Sequence, residues 1–92
     1  MNLTLADAVV AAAKAEAERS GFAVAIWVLD SAAHPLAFAR MDGANLGPID
    51  VAHKKARTAA LFDTDSLRLG QAARPGGAIY TLEHTNGGLV SF

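Results

Sequence analysis

The chain contains no cysteine among its 92 residues. Disulfides and thiolate metal sites are therefore excluded, and cysteine usage says nothing about the redox compartment. The chain also lacks an excess of charge of either sign, since it has 8 Lys and Arg and 9 Asp and Glu, for a net charge of −1. Without a broad basic field to attract phosphates or anionic lipid, we expect neither nucleic acid nor a membrane as a partner.

Long apolar runs and metal-ligand spacings are missing as well. The longest wholly apolar run is residues 22–29, far short of the ~20 residues that a membrane helix needs. The N-terminus shows no basic stretch followed by an apolar one, so a cytoplasmic protein without a secretory signal is expected. His34, His53 and His84 stand singly, without the spacing that puts two ligands on one metal, and no metal site is predicted.

What is present favours one small folded domain over residues 1–92. Hydrophobic residues make up 52% and charged residues 18% of the chain, a composition typical of a compact core rather than of disorder. A chain of this length hides only about 60–70% of its surface on folding, so its stability should be marginal.

Helical spacing and capping residues predict three helices. The first covers residues 5–20, where Leu5, Ala8, Val9 and Ala12 recur at helical spacing, with Thr4 and Asp7 as a capping box and Gly21 as its end. The second runs from Pro48 to about residue 61 and carries a stripe of small residues suited to close packing on a sheet. The third begins after Asp63 or Thr64 and ends at residue 73, because proline and glycine follow.

Apolar runs and turn formers predict four strands. Residues 22–29 indicate a central strand, which turns at residues 30–35 into a second strand at 36–41. Residues 78–82 indicate a third strand, a polar loop follows at 83–88, and residues 89–92 indicate the start of a fourth. The unpaired apolar edge of that last strand should promote association with another chain.

Lys55 and Lys54 are adjacent but should differ in environment. Lys55 lies at the edge of the apolar stripe, whereas Asp50, Lys54 and Arg57 fall on the opposite, watery side of the helix. We therefore predict that Lys55 is the more buried of the two lysines. A desolvated ammonium is suited to hold an anion or to act as a base, and the alternative is a lysine whose stem merely covers apolar surface.

Arg74, His84 and Asn86 are the other candidate site residues. Arg74 precedes Pro75-Gly76-Gly77 and can offer a fork of donors to a carboxylate or cap the end of its helix. His84 follows a glutamate in a polar, glycine-rich loop, where it can serve as acid, base or ligand, or the loop can be a plain turn. His34 and His53 are interpreted as a turn residue and a solvated helix edge.

Four segments together resemble the GlcG/HbpS family, and they occur in that family's order: residues 38–44 (FARMDGA), 55–60 (KARTAA), 74–77 (RPGG) and 83–90 (EHTNGGLV). That family includes haem-binding and proposed haem-degrading proteins and the C-terminal domain of PduO corrinoid adenosyltransferases. The resemblance implies an α/β (α+β) fold, a profilin-like antiparallel sheet flanked by helices. It also implies symmetric oligomers and a binding role for Lys55, Arg74, His84 and Asn86.

The chain departs from the family pattern in two places. Ala32-Ala33 replaces the glycine usual in the first hairpin, so a different turn is expected there. The family also continues beyond the position of Phe92 into a hairpin, two strands and a helix. We therefore expect the chain to hold the N-terminal two-thirds of the domain, with the remainder absent or supplied by a complementary second chain.

Three functions remain open from the sequence. The first is a domain that binds haem or a small anionic molecule, with Lys55 and Arg74 holding carboxylates and His84 or Asn86 lining a shared pocket. The second is an enzyme acting on a small oxygenated carboxylic acid, with His84 or Lys55 as acid or base. The third is an interaction domain that assembles with itself or a complementary chain. The residues alone do not define a reaction.

Overall fold

The computed structural model describes residues 1–92 and has an α+β architecture. Its elements follow one another as α1 (Leu3–Ser20), β1 (Ala25–Leu29), β2 (Pro35–Arg40), α2 (Gly47–Phe62), α3 (Ser66–Ala73) and a short 3₁₀ helix (Leu82–His84). The two strands form one antiparallel sheet. Helix α1 packs on both strands, α2 packs mainly on β1, and α3 packs on α2.

Helix α1 begins two residues earlier than a Thr4–Asp7 capping box would place it. The side chain of Asn2 accepts a hydrogen bond of 2.8 Å from the amide of Leu5. The predicted box is therefore wrong, because Asn2 already caps the first turn and Thr4 lies inside the helix. Gly21 ends α1 as predicted, at φ 79°, a left-handed conformation that glycine adopts without strain.

The hairpin of β1 and β2 confirms the predicted turn between two strands. Trp27 pairs with Phe38 and Leu29 with Pro35, with an irregularity between Val28 and Leu29. The Asp30 carboxylate shapes the turn by accepting from the amides of Ala32 (2.9 Å) and His34 (3.0 Å). Ala33 takes φ 66°, which explains how this turn closes without the glycine.

Trp27 joins the hairpin to α2. Its indole Nε1 donates to the carbonyl oxygen of Ile49 at 2.9 Å, and its ring stacks on His53 with centroids 4.2 Å apart. The expectation that His53 lies on a solvated helix edge is therefore wrong, because β1 covers that edge and leaves the imidazole half-buried. His34 is exposed in the turn, as predicted.

Helices α2 and α3 lie close to their predicted positions. Helix α2 has Pro48 in its first turn and ends at Asp63. The cap of α3 is Asp65, whose side chain accepts from the amide of Arg68 at 2.7 Å, rather than Asp63 or Thr64. Asp63 instead adopts φ 50° at the end of α2, so it cannot also be the extended residue that begins the next helix.

The two strands predicted near the end of the chain are wrong. Residues 78–81 form turns that lead into the 3₁₀ helix at Leu82, and residues 89–92 belong to no helix or strand. We call residues 89–92 the terminal segment. It lies against α2 and α3, with Leu89 and Ser91 buried, so the open apolar edge expected there does not exist.

Two side chains and one backbone carbonyl take the place of a strand partner for the terminal segment. The hydroxyl of Thr58 lies 2.8 Å from the carbonyl oxygen of Val90, and the amide of Ser91 donates to the Glu83 carboxylate at 3.2 Å. The amide of Leu89 donates to the carbonyl oxygen of Glu83 at 2.9 Å. These contacts satisfy backbone groups that a sheet would otherwise have paired.

The core is small for a chain of this length. Only 7 of 92 residues are buried, and the buried hydrophobic ones are Ala6, Ala17, Val28, Ala73 and Leu89. The accessible surface is 5910 Å², against roughly 5,000 Å² for a typical folded monomer of this mass. The radius of gyration is 14.1 Å, against about 12 Å expected. No helix is both long and apolar enough to cross a membrane.

Replacing Gly70 by alanine should destabilise the chain. A methyl group there would collide with the carbonyl oxygen of Ser91, so the usual gain from alanine in a helix is reversed into a loss of about 1–3 kcal/mol. Urea unfolding followed by circular dichroism measures this free energy. Gln71→Ala, at an exposed neighbouring position, is the control and should leave stability nearly unchanged. Equal stability of the two variants would contradict this packing.

Candidate functional site

A cavity of about 280 Å³ lies where the end of α3, the corner after it and the terminal segment meet. Helix α3 stops at Ala73 because Pro75 cannot continue it, and the amide of Gly77 donates to the carbonyl oxygen of Arg74 at 2.8 Å. The walls are Gly70, Ala73, Arg74, Pro75, Tyr80, Glu83, Ser91 and Phe92. The cavity thus combines two opposite charges with two aromatic rings.

Arg74 is the cation of the cavity wall. Its Nε donates to the carbonyl oxygen of Gln71 at 3.1 Å, which is the helix-capping role that the sequence allowed. The terminal nitrogens of the guanidinium group make no hydrogen bond or ion pair within the chain. Arg74 therefore caps α3 and still has donors for a ligand.

Glu83 is the carboxylate of the same wall. Its Oε2 accepts from the amide of Ser91 at 3.2 Å, and its own carbonyl oxygen accepts from the amide of Leu89. The Glu83 side chain therefore holds the terminal segment in place rather than pairing with Arg74.

Lys55 does not line the cavity itself but contacts the ring of Phe92, which does. Its Nζ lies 4.5 Å from the centroid of the Phe92 ring, within the range of a cation–π contact. Lys54 instead lies 3.0 Å from the Asp50 carboxylate. Both lysines are half-buried, so the predicted contrast in burial is not seen, and the difference lies in what each ammonium group touches.

Gly88, directly before the terminal segment, explains why Lys54 and Arg57 do not lie on a solvated face. Gly88 packs close to the end of the Lys54 side chain, and Arg57 points a terminal nitrogen at the carbonyl oxygen of Gly88, 3.5 Å away. Arg57 is half-buried as a result. Asp50 is exposed as expected. The expectation failed for Lys54 and Arg57 because it did not include the fold-back of residues 88–92.

His84 and Asn86 are exposed and do not line this cavity. His84 ends the 3₁₀ helix, and Asn86 donates to the Thr85 hydroxyl at 3.0 Å. Of the four residues expected to converge, the structure brings Arg74 to the wall and Lys55 to Phe92, and it leaves the other two on the neighbouring loop. Whether any of them binds a ligand stays a prediction.

Tyr80, Glu83 and Phe92 line the cavity although the sequence did not single them out. Tyr80 was assigned to a strand, and Phe92 to another. No local pattern marks these residues, because they come together only when the chain after α3 folds back on α2 and α3.

A second cavity, of about 430 Å³, lies between α1 and the end of β2. Its charged wall residues are Lys14, Glu18, Arg40 and Asp42, all exposed. Two cations and two carboxylates leave this larger cavity without a net charge. No group of three or more His, Asp or Glu side chains converges as metal ligands would.

Comparison with known proteins relates the whole chain to one family. A family model described as "Haem degrading protein HbpS-like" matches residues 1–92. Protein GlcG of Escherichia coli K12 is 40% identical over 57 residues, which are 62% of this chain and 42% of GlcG. GlcG of Escherichia coli O6:H1, strain CFT073, gives the same values.

A solved structure confirms the architecture. The crystal structure of Klebsiella pneumoniae protein ORFY, of family DUF336, matches with a TM-score of 0.91 and 27% identity over 99% of this chain. The match covers 63% of the ORFY chain, so the present chain spans less than two thirds of both relatives. The resemblance found in the sequence is therefore confirmed, and the chain belongs to the HbpS-like family.

Proposed function

We propose that this chain is a binding domain whose cavity beside Arg74 accepts a small anionic molecule, with a carboxylate as its natural anchor. The observation that carries the proposal is the Arg74 guanidinium, which stands on the cavity wall with terminal donors that no group of the chain uses. A guanidinium group can bind a carboxylate through two parallel hydrogen bonds.

The charges around the cavity support an anionic ligand. Glu83, the one carboxylate on the wall, is engaged by the amide of Ser91. Lys55 adds a second cation behind the Phe92 ring, and no carboxylate pairs with it. Lys54, by contrast, is neutralised by Asp50. An anion beside Arg74 would therefore meet the charges of Arg74 and Lys55 against that of Glu83, which leaves one net positive charge.

The cavity volume limits the enclosed part of the ligand. About 280 Å³ lies near the lower end of the roughly 300–1,000 Å³ typical of small-molecule sites. The cavity is large enough for a propionate of haem at Arg74 but not for the haem ring. The ring would have to lie outside the cavity, against the exposed loop that contains His84 and Asn86. These two residues are candidate contacts for such a ligand, and the family's description as haem-degrading makes haem the large probe to test.

Arg74→Ala should weaken binding of an anionic ligand roughly tenfold or more, because a hydrogen bond to a charged group contributes about 1.5–3 kcal/mol. Isothermal titration with a panel of small hydroxycarboxylates and dicarboxylates measures the affinity, and an absorbance titration measures it for haem. Arg68→Ala, on the exposed side of α3 and outside the cavity, is the control.

The proposal fails if none of these probes binds, or if the Arg74 and Arg68 variants bind them equally well. Saturable haem binding that survives Arg74→Ala would indicate a site elsewhere on the chain. The unfolding curve of Arg68→Ala should coincide with that of the parent, since that side chain is exposed. Arg74→Ala should lose no more than about 1 kcal/mol, because it gives up one exposed hydrogen bond that caps α3.

Lys55→Met should also weaken anion binding, by a smaller factor of about two to five. Lys55 acts through the Phe92 ring and at a longer distance than Arg74, so its electrostatic contribution to binding is smaller. Lys54→Met is the matched control, because the Asp50 carboxylate already balances that charge. Titrations at low and high salt should show the Lys55 effect shrinking as salt screens it. Equal effects of the two lysine variants would contradict the assignment.

A further inference from the structure

Two opposite charges line the cavity beside α3 without pairing with each other. Arg74 and Glu83 both belong to its wall, yet no ion pair joins them. The Glu83 carboxylate accepts from the amide of Ser91 through Oε2 only, and its Oε1 accepts no hydrogen bond within the chain. An ionised carboxylate can accept several donors. A ligand in this cavity therefore meets hydrogen-bond donors on one side and a charged acceptor on the other.

The hydroxyl of Ser91 is a third polar group of the same wall. Ser91 is only 8% exposed, and its hydroxyl makes no hydrogen bond within the chain. No fully enclosed side-chain oxygen or nitrogen of the chain lacks a partner, so this hydroxyl must be accessible from the cavity that Ser91 lines. Buried polar groups normally have a hydrogen-bond partner. The Ser91 hydroxyl is thus a contact for a polar group of the ligand, next to Oε1 of Glu83.

We propose that this cavity binds an acidic α-amino acid, an inference that rests on the binding function proposed for Arg74. Arg74 holds the α-carboxylate of the ligand. The ammonium group donates to Oε1 of Glu83 and to the hydroxyl of Ser91. Because the two charged groups of an α-amino acid are attached to the same carbon, one small molecule can bridge two opposite charges that do not touch, through hydrogen bonds that are charge-assisted on both sides.

The charges around the cavity select an acidic amino acid within this class. Arg74 and Lys55 contribute two positive charges and Glu83 contributes one negative charge. Two carboxylates and one ammonium group complement that set, and these are the charges of aspartate and glutamate. The second carboxylate is attracted by Lys55 beyond the Phe92 ring, and the hydroxyl of Tyr80, on the same wall, is a further donor.

A plain dicarboxylate complements the cavity less well. It can bind Arg74 through one carboxylate, but it offers nothing that donates to Glu83, and like charges then lie close together. The cavity of about 280 Å³ also favours a compact ligand, since it lies near the lower end of the roughly 300–1,000 Å³ of small-molecule sites. The ammonium group therefore distinguishes the proposed ligand from other small carboxylates.

Isothermal titration of the full chain with three matched ligands tests the proposal. L-Glutamate carries all three charged groups, glutarate lacks the ammonium group, and L-norvaline lacks the second carboxylate. Glutamate should bind about tenfold or more tightly than glutarate, because hydrogen bonds to the charged ammonium group are lost in glutarate. Norvaline should bind about two- to fivefold more weakly than glutamate, and high salt should narrow that difference.

Glu83→Gln gives the sharpest readout, because glutamine keeps an acceptor for the Ser91 amide and removes the charge. Glutamate binding should weaken about tenfold, whereas glutarate binding should strengthen. Ser91→Ala should weaken glutamate binding about three- to tenfold and leave glutarate binding unchanged. It decides the question if Glu83→Gln loosens the terminal segment. Glu18→Gln, on α1 and outside this cavity, is the control and should change neither affinity.

The two proposals fail in different ways. If glutarate binds through Arg74 as tightly as glutamate, or if the Glu83 and Ser91 variants affect both ligands alike, the amino-acid assignment is overturned and the anion site stands. Absence of binding by all three ligands, with Arg74-dependent binding of another carboxylate, has the same meaning. Absence of any binding overturns both proposals. Loss of glutamate binding in Glu18→Gln would place the amino acid in the larger cavity beside α1 and contradict the assignment.

Discussion

The hydroxyl of Thr58 holds the end of the chain to the rest of the molecule. Its side chain is fully buried on α2, with Oγ1 lying 2.9 Å from the carbonyl oxygen of Lys54 and 2.8 Å from that of Val90. The terminal segment has no strand beside it, so its polar backbone depends on this hydroxyl, on Glu83 and on the Ser66 hydroxyl, which donates to the carbonyl oxygen of Phe92. A buried carbonyl without a donor would cost about 1–3 kcal/mol. The wall of the candidate site contains Ser91 and Phe92, so it depends on the contacts that hold the terminal segment.

The elements that the sequence predicted well are those whose signals are local. Helix α1 has its own apolar spacing and its own terminating glycine, and the hairpin has a turn that Asp30 organises within four residues. The terminal segment differs, because its apolar side chains indicate burial but not the surface that buries them. An extended stretch packed on helices and a strand paired in a sheet have the same local pattern. Only the tertiary fold distinguishes them, which is why residues 89–92 were assigned wrongly.

The residues of the candidate site also divide into those that local sequence signals identify and those that only the tertiary fold brings together. Arg74 could be identified from the sequence because Pro75 and the glycines after it fix a corner at the end of α3. The helical wheel set Lys55 apart from Lys54, but the predicted difference in burial is not seen, and the sequence did not identify Phe92 as the partner of Lys55. Tyr80 and Glu83 were missed, and His84 and Asn86 lie outside the cavity, because all four depend on how residues 78–92 fold back. Because the core is small, contacts between residues far apart in the sequence contribute a larger share of the stability of this fold.

Hydrogen exchange on Thr58→Val tests this account most directly, since valine keeps the shape of threonine and removes the donor. We expect the amides of Leu89 and Ser91, which bond to Glu83, to lose protection in the variant. The amides of the β1–β2 hairpin should keep theirs, because Thr58 makes no hydrogen bond to either strand. Thr4→Val, at an exposed position on α1, should change neither. Unchanged protection at Leu89 and Ser91 in Thr58→Val would contradict the claim that this hydroxyl holds the terminal segment and, with it, the site.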